Sequence, residues 1–338
     1  MNLTFYHTIK KIMGVKGLNS LIMKWCRKQI QTINMKMLFG KKIAIDTSIY
    51  MYNFKARKLL LKGFNDMIVM FKNNNITPIF IFDGKTPIEK NETLNIRREN
   101  KKKSEDEYNL LLEKLLISDR IEKKALVINR KDIISRLKIL ENQFVRIRRE
   151  DIYNVKQLMD LYGATYYEHD GEAEQLCAKL VTDGIAYACM SDDMDLFVYG
   201  CPRILKQMDL SSNTITFYDL EDILKSLNVN LNEFKSICIL SGTDYNKKCE
   251  NPIYIKNAFN LFSMYKRDVN MHRARPNSFY YYINSVKRIN INYKELFGII
   301  EMFNLSSVKI PKELMFNHSL KNVDNDESRE KLLNLLSL

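Results

Sequence analysis

The sequence is poor in the residues that build zinc cages and disulfide frameworks. Its six cysteines (Cys26, Cys177, Cys189, Cys201, Cys238 and Cys249) are scattered, none forms a C-x-x-C pair, and there are only four histidines. Structural zinc needs closely spaced thiolates and imidazoles, and a disulfide-stapled domain needs dense cysteine in a short chain, so neither is indicated and a reducing compartment fits best. No apolar run approaches the roughly 18 residues of a membrane span. The opening MNLTFYHTIKKI has neither the apolar stretch nor the small-residue cleavage site of a signal peptide. The chain is therefore expected to be soluble and intracellular, without a membrane partner. No internal repeat is visible. Alanine and glycine are scarce beside Asn, Ile and Lys, the signature of an AT-rich coding sequence, which bears on source more than on mechanism.

What is present is an ordinary globular composition. With 338 residues and 46% hydrophobic residues, the chain can build one large core or two modest ones. Fifty-three Lys and Arg against 40 Asp and Glu give a net charge of +13 and a pI near 9.2. Such an excess favours a polyanionic partner, although a basic surface also serves solubility alone.

The first half alternates strand and helix. KKIAIDTS (41–48) is a β-branched apolar run ending at Asp46, a helically spaced stretch continues to about Asn75, and ITPIFIFDG (76–84) is a second buried strand ending at Asp83. That is a βαβ unit, so an α/β fold around a mainly parallel sheet is expected. A long charged segment, 85–150, is followed by helix DIYNVKQLMDLYG, strand ATYYE, helix EAEQLCAKLV and strand AYACMS. RILKQMD and NTITFYD read as a hairpin, 219–241 as two short helices, and 245–305 as helical. The implied segments are an extension at 1–12, α/β blocks at 13–100 and 150–246, an insertion at 101–149 and a helical region at 247–338.

Chemistry concentrates where parallel strands end. Ligands of such sheets bind beyond the strand C-termini, where loops converge and helix N-termini point. Asp46 and Asp83 stand at those ends, Glu172 and Glu174 follow ATYYE, Asp193 and Asp195 follow AYACMS, and Asp244 follows the apolar run SICILSG. Taken singly, an Asp after a strand is often a helix cap, and E-x-E or D-x-D is often a solvated surface. Together, five segments deliver seven acids toward one edge, and like charges so gathered raise one another's pKa unless cations neutralise them. Magnesium prefers oxygen ligands, so an all-carboxylate set without His or Cys points to it. Two ions about 3.5–4 Å apart would activate a water and stabilise the leaving oxygen in phosphodiester hydrolysis.

In order along the chain, GVKGLNSLI, GKKIAIDTSIYMY, PIFIFDGKTPIEK, YEHDGEAEQLCAKL, SDDMDLFVYG and LSGTDYN resemble the blocks of the flap-endonuclease/XPG family of structure-specific 5′ nucleases. The resemblance covers about 14–100 and 150–246. It implies a PIN-like nuclease fold with a helical-arch insertion and a C-terminal helix-two-turn-helix-like region, acting on flapped or branched DNA. It also implies two Mg²⁺ ions, for which Mn²⁺ can substitute: Asp46, Asp83, Glu172 and Glu174 would surround one, and Asp193, Asp195 and Asp244 the other. Asp192 matches an acid that is not a ligand. Lys90 and Arg97 match the family's basic pair at the scissile phosphate and, with Asp193, carry the catalytic assignment. Tyr52 matches a tyrosine that stacks on a base. Gly14, Val15 and Gly17 match an N-terminus near the active site, and the DNA-contacting set is Gly14, Tyr52, Lys90, Arg97, Glu172, Gly242 and Asp244. Segment 85–150, with 18 Lys and Arg against 12 Asp and Glu, would form an arch for a single-stranded 5′ arm.

The sequence departs from the family in three places. The glycine-rich turn after the G-S/T-D-Y motif is replaced by KKCENPIYIKNA, where Lys247, Lys248 and Lys256 are the cations left to grip duplex DNA. The C-terminal SREKLLNLLSL has no sliding-clamp peptide, and a monomer is expected. Twelve residues precede Met13, which the family block marks as the working start. The wording of SDDMDLFVYG and LSGTDYN resembles the branch carried by large double-stranded-DNA viruses, implying replication, recombination or repair in a host nucleus or a cytoplasmic viral factory. Competing classes are a PIN-like ribonuclease and a non-catalytic junction-binding scaffold. A haloacid-dehalogenase-type phosphatase would need D-x-D on its first strand, and IDTSIY lacks the second acid.

Overall fold

The computed structural model describes residues 14–85, 90–120, 127–245, 253–275, 279–316, 319–323 and 326–337. Residues 1–12, Met13, Lys247 and Lys248, each the subject of an expectation above, lie outside the described residues. In chain order the elements are α1 (Leu18–Trp25), β1 (Ile30–Asn34), β2 (Lys42–Asp46), α2 (Thr47–Ala56), α3 (Leu60–Asn73), β3 (Thr77–Phe82), α4 (Asn91–Arg120), α5 (Val127–Gln143), α6 (Arg149–Leu161) and β4 (Thr165–Glu168). They continue as α7 (Ala173–Thr182), β5 (Ala188–Met190), α8 (Asp195–Tyr199), β6 (Arg203–Asp209), β7 (Thr214–Asp219), α9 (Leu220–Leu227), α10 (Leu231–Ser241), α11 (Ile255–Asn270), α12 (Phe279–Ser285), α13 (Tyr293–Met302) and α14 (Asp326–Leu336). The chain divides into two compact units. One, residues 1–47, 69–86 and 164–320, carries every described strand, and the other, residues 48–68, 87–163 and 321–338, is helical.

The expected α/β fold is present: seven strands run in the order β1-β7-β6-β5-β2-β3-β4. Strands β6, β5, β2, β3 and β4 are parallel neighbours, and β7 and β1 add an antiparallel edge. Ile43, Ala44 and Ile45 of β2 and Ile79, Phe80 and Ile81 of β3 are all buried, as strands covered on both faces must be. Strand β2 lies between β3 and β5. From it the chain winds outward through β3 and β4 on one side and through β5 and β6 on the other, and such a reversal opens a crevice beyond the strand C-termini. Leu18 and Ile22 of α1, Leu176 and Leu180 of α7, Phe197 of α8 and Ile237 of α10 belong to one core beside the sheet. Burial of each such side chain contributes about 1.5–3 kcal/mol before conformational entropy is set against it.

One local finding differs from the reading of the sequence, and one agrees with it. Strand β1 was not anticipated, because IQTIN is a sheet edge with one fully buried residue, Ile33, and so shows no continuous apolar run. The two short helices expected over 219–241 are α9 and α10, so SICILSG is the C-terminal part of α10, closed by Gly242 at φ 98°, a left-handed backbone that a Cβ would strain. The acids therefore arrive from four strand ends and one helix end.

In the helical unit, α4 and α5 pack antiparallel. Arg136 makes a forked pair with Glu107 (2.7 and 2.9 Å), Arg146 pairs with Glu105 (2.5 Å), Ser104 Oγ donates to Gln143 (2.9 Å), and the Tyr108 and Phe144 rings meet edge to face. Packing of Phe54 against Phe64 holds α2 to α3, and Gly63 leaves room for it, since a Cβ there would lie 2.5 Å from the Phe54 ring.

Candidate metal centre

The centre is built by hydrogen bonds from Ser191 and by the loops that flank it. Asp46, the last residue of β2, is buried, and its Oδ2 accepts from Ser191 Oγ at 2.9 Å. The same Ser191 oxygen accepts from the Asp193 amide (3.2 Å), and Asp193 Oδ1 accepts from the Asp195 amide (2.9 Å). The end of β2 and the loop after β5 are thereby tied together at the sheet's point of reversal. Asp195 opens α8 and is fully buried.

Helix α7 supplies the second group. Glu172 stands at its N-cap without capping it, and Glu174 lies in its first turn, where the helix dipole favours an anion. The capping task falls to Asp83, whose Oδ1 accepts from the Ala173 amide at 2.8 Å. Backbone bonds from Gly84 and Lys85 to the carbonyls of Gly171 and Asp170 (3.0 and 3.1 Å) hold the β3 and β4 exits side by side, so Asp83 serves a helix reached from another strand. Glu172 Oε2 accepts from the Tyr245 hydroxyl at 2.6 Å, and Tyr245 lies 3.1 Å from Tyr199 Oη, which receives Gln175 Nε2 at 3.2 Å. Burial, reinforced by the Glu172 carboxylate, holds the Tyr245 phenol far above its ordinary pKa, so it remains a donor.

Glu174, Asp193 and Asp195 are all buried, and each offers a carboxylate oxygen within 4.8 Å of the others. Glu174, which the resemblance groups with Asp46, Asp83 and Glu172, lies here beside the carboxylates of Asp193 and Asp195. Gly14, at φ 69°, backs onto the same point: a Cβ there would meet Asp193 Oδ1 at 2.5 Å and Asp195 Oδ1 at 2.8 Å. A buried set of oxygen donors without imidazole or thiolate matches a hard divalent cation such as magnesium. Asp244 is buried, and Asp83 is exposed. Asp192 uses Oδ1 to accept from the Gln207 amide at 2.9 Å. The thiols of Cys177, Cys189, Cys201 and Cys238 are buried and raised in pKa by desolvation, which makes them core residues.

The cationic and aromatic candidates belong to the helical unit. Lys90 immediately precedes α4 and is buried; Arg97, seven residues on, is half-buried. Tyr52 on α2 is 40% exposed, with the Lys101 ammonium 4.9 Å from its ring centre, and Lys101 also donates to the Val145 carbonyl (3.1 Å). Sequence reading passed over Ser191, Tyr245 and Lys206 as supporting groups. Tyr245 and Ser191 adjoin motif acids, which is a usable signal; Lys206, inside a hairpin strand, gives none.

Fold and site together define an α/β protein with an all-carboxylate centre at the point where its sheet reverses. The XPG N-terminal domain matches residues 13–104 and the XPG I-region matches residues 163–244, together just over half of the chain. Flap endonuclease 1 of Candida tropicalis is 29% identical over 252 residues, covering 69% of this chain and 63% of that protein. This chain thus spans under two thirds of that relative's length. The catalytic core of Rad2 in complex with DNA substrate superposes with a TM-score of 0.66 at 20% identity, covering 96% of each chain. Flap endonuclease-1 from Methanococcus jannaschii gives 0.51 at 23% identity, covering 91% of this chain and 96% of that one. The chain belongs to the flap-endonuclease/XPG family.

Proposed function

We propose that the protein is a divalent-metal-dependent, structure-specific DNA endonuclease and 5′ exonuclease that cleaves phosphodiester bonds at 5′ flaps or branched DNA. The observation that carries this reading is the convergence of Glu174, Asp193 and Asp195, buried and within 4.8 Å, at the switch point of the sheet. Family membership supports it, as does the likeness to Rad2, whose core was solved with DNA substrate. Glu174, Asp193 and Asp195, with Asp46, Asp83, Glu172 and Asp244, would hold two Mg²⁺ ions or, in substitution, Mn²⁺. Bound there, the ions would supply an activated water and charge stabilisation for the leaving oxygen.

The chain's own residues do the rest. Ser191 and Tyr245 fix the carboxylates of Asp46 and Glu172, so little reorganisation is needed when cations arrive. Gly14 lets backbone approach the Asp193 and Asp195 oxygens where a side chain would intrude. Lys90 and Arg97 offset charge that grows on the scissile phosphate, Tyr52 offers an aromatic face to an unpaired base, and Gly242 brings the backbone at Asp244 toward DNA. The α4–α5 hairpin serves as the arch for a single-stranded 5′ arm. Replication, recombination or repair of DNA is the process such an activity fits.

A panel of labelled 5′ flap, gapped flap, nicked duplex, bubble, Holliday junction and RNA hairpin, each with Mg²⁺ and with EDTA, tests the reading. Cleavage confined to DNA junctions and abolished by EDTA is expected. Preferred cutting of RNA would make the protein a ribonuclease, and junction binding without any cutting would make it a scaffold.

A further inference from the structure

Lys206 is only 1% exposed, although lysine is among the residues least often buried without a task. It stands on β6 one position beyond the register pair Met190 and Leu205, level with the point where β5 ends and the 191–194 loop begins. Its Nζ donates to the carbonyls of Asp192 (2.5 Å) and Asp193 (3.2 Å) and approaches Met194 Sδ at 3.3 Å. The next residue, Gln207, takes a left-handed φ of 56°, the β6–β7 register shifts there, and the Gln207 amide donates to Asp192 Oδ1 at 2.9 Å. A bulge at that point re-aims the strand toward the loop.

We infer that Lys206 is a positioning residue for the metal centre, holding the main chain that carries Asp193 and Asp195 through the carbonyls of Asp192 and Asp193. The reasoning is peptide geometry. The carbonyl of Asp192 and the amide of Asp193 are one planar trans peptide, so its C=O and N–H point in opposite directions. Lys206 binds the carbonyl and Ser191 Oγ binds the amide, which fixes that plane from both sides. The following peptide is gripped through the Asp193 carbonyl, and Asp193 Oδ1 is then set by the Asp195 amide. An ammonium has three donors and no acceptor, so it can gather several carbonyls where a neutral side chain of the same length gathers none.

The sign of the effect separates this role from simple electrostatics. Coulomb repulsion alone says that removing a buried cation near the centre tightens binding of a divalent ion. Positioning says that removal weakens it.

The inference rests on the proposed metal centre, and the test separates the two. Mn²⁺ binding to the EDTA-stripped protein is measured by isothermal titration for the wild type, Asp193→Ala, Lys206→Met, Asp192→Ala and Asp192→Asn, with a melt of each variant. Lys206→Met and Asp192→Ala are expected to weaken Mn²⁺ binding by roughly 10- to 100-fold, and Asp192→Asn, which keeps a carbonyl acceptor for the Gln207 amide, to stay within about threefold of wild type. Folded Lys206→Met that binds Mn²⁺ as tightly as wild type, or more tightly, overturns the inference, as does Asp192→Ala behaving like Asp192→Asn. Should Lys206→Met fail to fold, Lys206→Gln, neutral and with a shorter reach, takes its place with the same expected and overturning results. A wild type that binds no Mn²⁺, or an Asp193→Ala variant that binds it unchanged, overturns the metal-centre reading itself.

Discussion

Individual side chains carry the sharpest consequences. Lys90 and Arg97, as charges on a transition state, should each slow single-turnover cleavage at saturating enzyme by on the order of 10²-fold when replaced by Ala. A uniform loss of binding to every DNA form, with the chemical rate intact, would instead make them backbone contacts. Tyr245→Phe removes the 2.6 Å bond to Glu172 but keeps the ring contact with Phe303 at 5.4 Å, so stability should change little while the apparent Mg²⁺ affinity falls about tenfold. An unchanged Mg²⁺ dependence would remove Tyr245 from the supporting shell. His169, in the loop before α7, has its pKa lowered by burial, opposed by Asp170 and Asp83. Its neutral form is the one the fold favours. That contribution is therefore present above the ordinary value of 6.5 and drains as pH falls from there through the lower folded value. His169→Gln should flatten the decline of the urea midpoint between about pH 7 and 5, measured in EDTA; a steeper decline would contradict this assignment.

At the scale of elements, the α4–α5 hairpin is where substrate form would be sensed. Its ion pairs, Arg136 with Glu107 and Arg146 with Glu105, lie toward solvent, where such pairs add little to the stability of the fold. If a 5′ arm threads it, a streptavidin block placed on the 5′ terminus before enzyme is added should strongly inhibit flap cleavage, whereas undiminished cutting would mean an unthreaded groove. The elements that could be read from the sequence share one physical trait. Strands β2 and β3 are buried on both faces, so their apolar runs are continuous; α6 and α7 present one buried stripe each, so their spacing is periodic. Strand β1 gives no such signal, because an edge strand keeps polar residues on its open face, whereas the two short helices expected over 219–241 are present as α9 and α10. The grouped acids Glu174, Asp193 and Asp195 are legible because each adjoins a helix start or follows a strand end. Lys206 is not, because nothing local distinguishes a lysine that turns inward.

For the molecule as a whole, the net charge of +13 fits a polyanionic ligand, and the centre supplies what a scaffold would lack. Among the described residues no helix is long and apolar enough to cross a membrane. Among the described residues Cys26, Cys177, Cys189, Cys201 and Cys238 are buried and free. The central claim is that the carboxylate cluster does chemistry by holding metal. Its most direct test is single-turnover cleavage of a labelled 5′ flap across a Mg²⁺ titration by wild type and by Asp193→Ala, with flap affinity measured separately in EDTA. The account predicts that Asp193→Ala binds the flap like wild type and cleaves it more than about 10³-fold more slowly at every Mg²⁺ concentration. A variant that cleaves within about tenfold of wild type would contradict it.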